Sequence, residues 1–194
     1  KLSIKYNEKA EEILARFSEE LLPYKEQLDT LRAQGIKLDN PVNISSPKQL
    51  GFLLYDVLKV GVIDKKSPRG TGEDILVKID HPIVKTILEY RAVKKLIGTY
   101  IDKLPTCLES DGKIHCNFNQ YGARTGRFSS SNPNLQNIPT RFDLGKQIRK
   151  VFKPEPGFVF VDADYSQIEL RILAHMSKDP LFVDAFNNGD DIHT

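Results

Sequence analysis

Between Asn7 and Arg32 the apolar positions Ala10, Leu14, Phe17, Leu21, Tyr24, Leu28 and Leu31 recur at alternating spacings of four and three. That spacing follows the helical repeat, so one face of a long helix, or of two helices joined near Pro23, would carry all of them. Pro23 is expected to kink or divide the segment, because its ring removes an amide donor and clashes with the preceding turn. Such a stripe serves a coiled-coil seam or, more commonly, packing against helices of the same chain. A turn follows from Gly35 to Pro41. The next helix start is sharp: Ser46 suits the N-cap, Pro47 the first helical position, and Gln49 the reciprocal side of a capping box. Leu50, Leu53, Leu54, Val57 and Leu58 form its apolar stripe, with Gly61 as the expected terminator. Residues 64–72 are loop by their Gly, Pro and Ser content. Thr71 and Asp74 suit the start of a short helix through Ile79, and His81-Pro82 opens another to about Ile101, with Ile83, Ile87, Tyr90 and Ile97 on one side.

Near residue 106 the pattern changes. Ile114, Cys116 and Phe118 alternate with Lys113, His115, Asn117 and Asn119, the period of a half-exposed strand. Gly122 to Pro139 is dense in Gly, Ser, Asn, Pro and Arg and predicts a long loop without structure of its own, a kind usually functional or disordered. A helical turn is expected around Gln147 to Val151. Phe158-Val159-Phe160-Val161, bounded by Pro156-Gly157, predicts a buried strand. Ser166 and Glu169 then stand in capping-box spacing, and Ile168, Leu170, Ile172, Leu173 and Met176 give a mostly apolar helix. A last helix is expected from Pro180 to Asn187. No internal repeat is visible. The expected fold is α+β, with a mostly helical part over about 1–105 and an α/β part with an antiparallel sheet over about 106–194.

Composition changes this picture little. With 40% hydrophobic and 28% charged residues the chain is an ordinary globular one. No run approaches the roughly 18 apolar residues of a membrane span, so no membrane partner is expected. The N-terminus has no signal-peptide pattern. Cys107 and Cys116 lack metal-ligand spacing and read as two reduced thiols of a cytoplasmic protein. The net charge of +2 does not by itself indicate nucleic acid. Its distribution says more: Lys65, Lys66 and Arg69 cluster in one loop, and Arg124, Arg127 and Arg141 flank another, although surface lysines are often merely solvated. The chain begins without Met and ends in Asp190-Asp191-Ile192-His193-Thr194, which looks like the opening turn of a helix. It is therefore expected to be a trimmed or processed piece.

The chemistry-bearing stretch is Asp162 to Arg171. Two residues apart on a strand, Asp162 and Asp164 would project from one face, where two carboxylates could hold a divalent cation. Equally, one could cap the following helix while the other faces solvent. Spacing does not choose between these readings, nor between the two carboxylates.

Here the chain resembles a known family. Asp164-Tyr165-Ser166-Gln167-Ile168-Glu169-Leu170-Arg171 matches, letter for letter, the first palm motif of the family A DNA polymerases. Thr125-Gly126-Arg127-Phe128-Ser129-Ser130, followed by Asn132-Pro133-Asn134-Leu135-Gln136-Asn137-Ile138-Pro139, matches a second block. Asn43 to Leu50 and Ile87-Leu88-Glu89-Tyr90-Arg91 look like the thumb, and Asp191-Ile192-His193 like the start of the fingers. The blocks stand in the family's order over most of the chain.

The resemblance implies that Asp164 is one of two palm aspartates holding two Mg²⁺ ions, with the Tyr165 carbonyl as a further ligand. Asp162 has no family role. Glu169 corresponds to the gate that occupies the space of a ribose 2′-hydroxyl and so favours deoxynucleotides; a helix-capping role is compatible with this. Ser166, Gln167, Ile168 and His193 would line the nucleotide with it, and Arg171 would orient the gate or the carboxylates. Arg127 corresponds to a residue testing base-pair geometry in the minor groove, where acceptors are similar for all pairs. Asn134, Gln136, Asn137 and Arg141 would line the duplex or template path. Ser46, Lys48, Lys65, Lys66 and Arg69 would meet phosphates by sequence-independent, salt-sensitive contacts.

The implied function is that of a DNA-directed DNA polymerase fragment, thumb over 1–105 and first part of palm over 106–194, with primer-template DNA and deoxynucleoside triphosphates as partners. The resemblance implies that the fingers helix and the palm hairpin with the second metal-binding aspartate are not among these residues, and no exonuclease domain is expected before Lys1. These 194 residues alone are therefore expected to be inactive. An alternative is a non-catalytic duplex-binding half of a split or intein-interrupted polymerase, whose partner would be a second chain supplying the fingers and the remaining palm.

Overall fold

The computed structural model describes residues 2–139 and 143–190. They form two compact units, Lys1–Val151 and Phe152–Thr194.

In the first unit, α1 (Leu2–Glu20) buries Tyr6, Ala10, Ile13 and Phe17. The stripe runs through Ile13, while Leu14, the residue expected there, lies half-buried at its margin. Pro23 divides the segment as predicted: it sits in a 3₁₀ turn, Leu22–Tyr24, where no helical amide donor is needed, and α2 (Lys25–Ala33) follows. α3 (Pro47–Gly51) continues as a π-helical stretch, Phe52–Val57, that buries Leu53, Leu54 and Val57. Ser46 caps α3, its hydroxyl accepting from the Gln49 amide at 3.4 Å. The reciprocal half of the predicted capping box is absent. Gln49 Oε1 instead accepts from the Asp39 and Asn43 amides, at 3.0 and 2.9 Å, and pins the incoming loop. The helix ends at Val57, four residues before Gly61; beyond it Lys59 takes the left-handed conformation at φ 54° and the Val60 amide reaches the Leu54 carbonyl.

α4 (Glu73–Leu76) starts from Gly72 rather than Thr71, and Thr71 is buried. α5 (Pro82–Leu96) begins as expected: His81 Nδ1 accepts from the Ile83 amide at 3.2 Å, and the helix runs on through a π-helical turn, Ile97–Ile101. α5 packs chiefly on α1. Ile83, Val84, Ile87, Tyr90 and Val93 are buried along it. Around that apolar seam Glu89 pairs with Arg16 and Lys9, and Thr86 donates to Glu20 at 2.9 Å. Exposed ion pairs of this kind contribute about 0–1 kcal/mol each, so the seam dominates.

The predicted strand is shorter than its alternating stretch. Ile114 makes one isolated bridge to Leu108, and only β1 (Asn117–Asn119) forms a ladder. Its antiparallel partner is β2 (Ser129–Ser131), within the segment expected to be structureless. A Cβ at Gly122 would stand 2.1 Å from Ser129 Oγ, so a side chain there would force Ser129 into another rotamer. α6 (Asp143–Arg149) supplies buried Ile148.

In the second unit, a turn at Pro156-Gly157 leads into the apolar run, with the Phe158 amide bonded to the Glu155 carbonyl at 2.9 Å. The run is not a buried strand. Val159 and Val161 are 79% and 87% exposed, and residues 158–161 join no ladder among the described residues. The physical reason is the missing partner: a strand is stabilised by ladder bonds and a covered face, and this unit offers neither. α7 (Ile168–Ser177) and α8 (Pro180–Asn188) pack together, burying Ala174. Asp179 caps α8 by accepting from the Leu181 and Phe182 amides at 2.9 and 3.4 Å. Two strands and eight α-helices among the described residues make the fold α+β. No helix among them is long and apolar enough to cross a membrane.

Candidate active site and nucleic-acid interface

The motif Asp164 to Arg171 spans the end of the exposed segment and the first turn of α7. Asp162, Asp164 and Tyr165 are all exposed. Ser166 does not cap the helix. Gln167, left-handed at φ 53°, occupies the N-cap position and makes no side-chain capping bond, which places Ser166 one residue too early to reach the first-turn amides. The Ser166 carbonyl is used instead, accepting from Arg171 Nε at 2.9 Å. The Arg171 guanidinium also lies over the Phe186 ring at 4.6 Å, so this one side chain ties the turn before α7 to α8. Ile168 and Glu169 open α7 on its exposed side.

Hard oxygen donors suit a divalent cation, and the Asp164 carboxylate and Tyr165 carbonyl are of that kind. Among the described residues no three His, Cys, Asp or Glu side chains group as a complete metal site. The donors fit the chemistry, and the set is partial.

The first unit carries the other candidates. Ser46 and Lys48 stand at the start of α3, and Lys65 and Lys66 are exposed on the 64–72 loop. Arg69 is differently placed. Its guanidinium pairs with the Asp56 carboxylate and donates to the Gly51 carbonyl at 3.1 Å. It also lies 5.4 and 5.5 Å from the Phe52 and Tyr55 ring centres. The hydrogen bond from Arg69 holds the Asp56 carboxyl below its ordinary range and, reciprocally, raises Arg69.

Arg127 is exposed between β1 and β2. Beyond β2, buried Ser130 organises the Asn-rich loop: its hydroxyl donates to the Pro133 carbonyl at 3.3 Å and accepts from the Leu135 amide at 3.2 Å. Asn134 makes an Asx turn with the Gln136 amide at 3.0 Å, and Gln136 Nε2 reaches back to the Phe128 carbonyl at 3.2 Å. The Asn137 carbonyl accepts from the Tyr100 hydroxyl. Asn134, Gln136 and Asn137 are thus exposed on one loop anchored to the hairpin and to the end of α5. Arg141 and His193 lie outside the described residues.

Sequence reading passed over a cleft of about 460 Å³ lined by Ser45, Pro47, Thr71, Tyr90, Arg91 and Lys94. Arg91 donates to the Thr71 carbonyl, and burial draws its pKa down while Glu73 opposes the shift. The available signal was the basic residues three and four apart, Arg91, Lys94 and Lys95, near the end of α5.

Residues 11–194 match the DNA polymerase family A, and the chain belongs to that family. It is 51% identical over 156 residues, 78% of its length, to DNA polymerase I of Caldicellulosiruptor bescii, and covers 18% of that protein. It is 44% identical over 180 residues to the thermostable DNA polymerase I of Thermus aquaticus, covering 89% of this chain and 22% of that one. The POL domain of Pol1 from M. smegmatis, solved in complex with DNA primer-template and dNTP, superimposes with a TM-score of 0.68 at 37% identity. That match covers 93% of this chain and 32% of the other. The chain therefore spans about a fifth of the length of these curated relatives.

Proposed function

We propose that this chain is the thumb, about 1–105, and the first part of the palm, about 106–194, of a DNA-directed DNA polymerase acting on primer-template DNA with deoxynucleoside triphosphates. The observation that carries the reading is the family match over residues 11–194 together with an uninterrupted Asp164–Arg171 motif. The relative solved with primer-template and dNTP supports the choice of partners.

In this reading Asp164 and the Tyr165 carbonyl would hold Mg²⁺. Bound there, two such ions supply Lewis acidity that lowers the pKa of the primer 3′-hydroxyl and neutralises charge on the triphosphate. The chain's own residues position the reactants. Glu169, on the exposed first turn of α7, fills the volume a 2′-hydroxyl would need. Arg171 holds the Ser166 carbonyl, and with it the turn carrying Ser166, Gln167 and Ile168 past the nucleotide. Arg127 and the loop of Asn134, Gln136 and Asn137 face the duplex, and Ser46, Lys48, Lys65 and Lys66 meet phosphates. Arg141 and His193 would join the template path and the triphosphate. On their own these 194 residues would bind duplex without extending a primer, because the motif assigns only one carboxylate to the metals.

Asp164→Ala in the complete enzyme tests this. Primer extension in Mg²⁺ is expected to be lost while duplex affinity stays within about twofold. Extension at the wild-type rate would remove Asp164 from the mechanism.

A further inference from the structure

The 64–72 loop is fastened at a single end. Inside it, the Lys66 amide bonds Asp64 Oδ1 at 2.8 Å, the Ser67 amide the Asp64 carbonyl at 3.1 Å, and the Gly70 amide the Ser67 carbonyl at 3.0 Å. These make two consecutive turns that carry Lys65 and Lys66 outward. The attachment to the helix is made by Arg69 and its neighbour. Arg69 bonds the Gly51 carbonyl and both oxygens of Asp56 and lies against Phe52 and Tyr55, and the Tyr55 hydroxyl donates to the Gly70 carbonyl at 2.7 Å. The Arg69 side chain stays 50% exposed, while the hydrogen bonds it makes are directed to the helix. Three N–H groups of the planar fork are used internally, on partners that a lysine could not satisfy together.

We propose that Arg69 is a positioning residue: it clamps the loop onto the α3 helix and thereby sets where Lys65 and Lys66 meet the phosphates of duplex DNA. The inference rests on the reading of that loop as a phosphate contact, and its test separates the two.

The measurement is duplex affinity of the complete enzyme as a function of salt, for wild type, K65A/K66A, R69K, D56N and the combination of R69K with K65A/K66A. Two lost phosphate contacts should weaken binding and lower the slope of log affinity against log salt by about two. R69K keeps its charge, so a direct phosphate contact at this position predicts an unchanged salt slope. The clamp predicts about 3- to 10-fold weaker binding and a slope reduced by about one to two, as both lysines lose register. D56N removes a negative charge, which simple electrostatics would turn into tighter binding; the clamp predicts weaker binding. In the K65A/K66A background R69K should add nothing. Amide exchange at Ser67 and Gly70 should quicken in R69K while amides in α5 keep their protection, a readout independent of DNA.

R69K with unchanged affinity, or D56N with tighter binding, overturns the clamp while leaving the lysine contacts standing. K65A/K66A without effect overturns the phosphate reading of the loop, and the clamp's function with it.

Discussion

Ile87 is fully buried on α5, the helix that packs on α1. Ile87→Ala removes three carbons from that seam. At about 0.8 kcal/mol per buried methylene the transfer loss is about 2.4 kcal/mol. The void left between two helices tied together elsewhere along their lengths adds to this, giving about 3–4 kcal/mol, inside the usual range of about 2–5 for such truncations. Leu173 on α7 gives the contrast. It is 50% exposed, so Leu173→Ala loses about half the transfer term and opens no cavity, about 1 kcal/mol. Urea denaturation of the 194-residue polypeptide, followed by far-ultraviolet circular dichroism, measures both. Equal midpoint shifts, or an Ile87→Ala cost below about 1 kcal/mol, would refute the assignment of the core to the α1–α5 seam.

Two further outcomes follow from single side chains. The Asp56 carboxyl has its pKa lowered, first by the hydrogen bond from Arg69, so its stabilisation is fully present above the unfolded carboxylate pKa of about 3.9 and is lost as pH falls through the lower folded value. Urea midpoints taken from pH 6 down to pH 3 should therefore fall less steeply for D56N, and superimposable profiles would contradict the pairing. Asp179→Ala removes the cap that satisfies two amides of α8 and should cost about 1 kcal/mol, read as faster exchange at Leu181 and Phe182; unchanged protection there would mean the cap carries no stability.

Local physics made much of the first unit legible. The stripe from Ala10 to Leu31, Pro23 as divider, Ser46 as cap and His81-Pro82 as helix start all depend on residues within a few positions of one another. Failures come where a distant partner decides. Leu14 and Ile13 are equally apolar, and which one faces inward depends on what α1 packs against. Gln49 fits a capping box, yet the amides of Asp39 and Asn43 compete successfully for it. Lys59 rather than Gly61 turns left-handed, a choice local propensity disfavours. Phe158–Val161 has strand composition but no ladder, because pairing is a property of two segments. For the site, the Asp164–Arg171 motif was readable letter by letter. The internal use of Arg69 was not, since a charged residue in a loop looks the same whether it faces phosphate or Asp56.

The exposed Phe158–Val161 segment bears on how this polypeptide behaves while it is being made. Four consecutive aromatic and β-branched residues that join no ladder among the described residues share the composition of a cross-β stacking segment, though they fall short of its length of about six or seven. The flanks oppose that fate: Pro154 and Pro156 lack amide donors on one side, and Asp162 and Asp164 place two like charges on the other. Stacked in register on a second copy, those carboxylates would repel along the growing fibril. Charges flanking an apolar run are the pattern that opposes stacking, and Asp162, which the polymerase motif leaves without a task, stands exposed in that place.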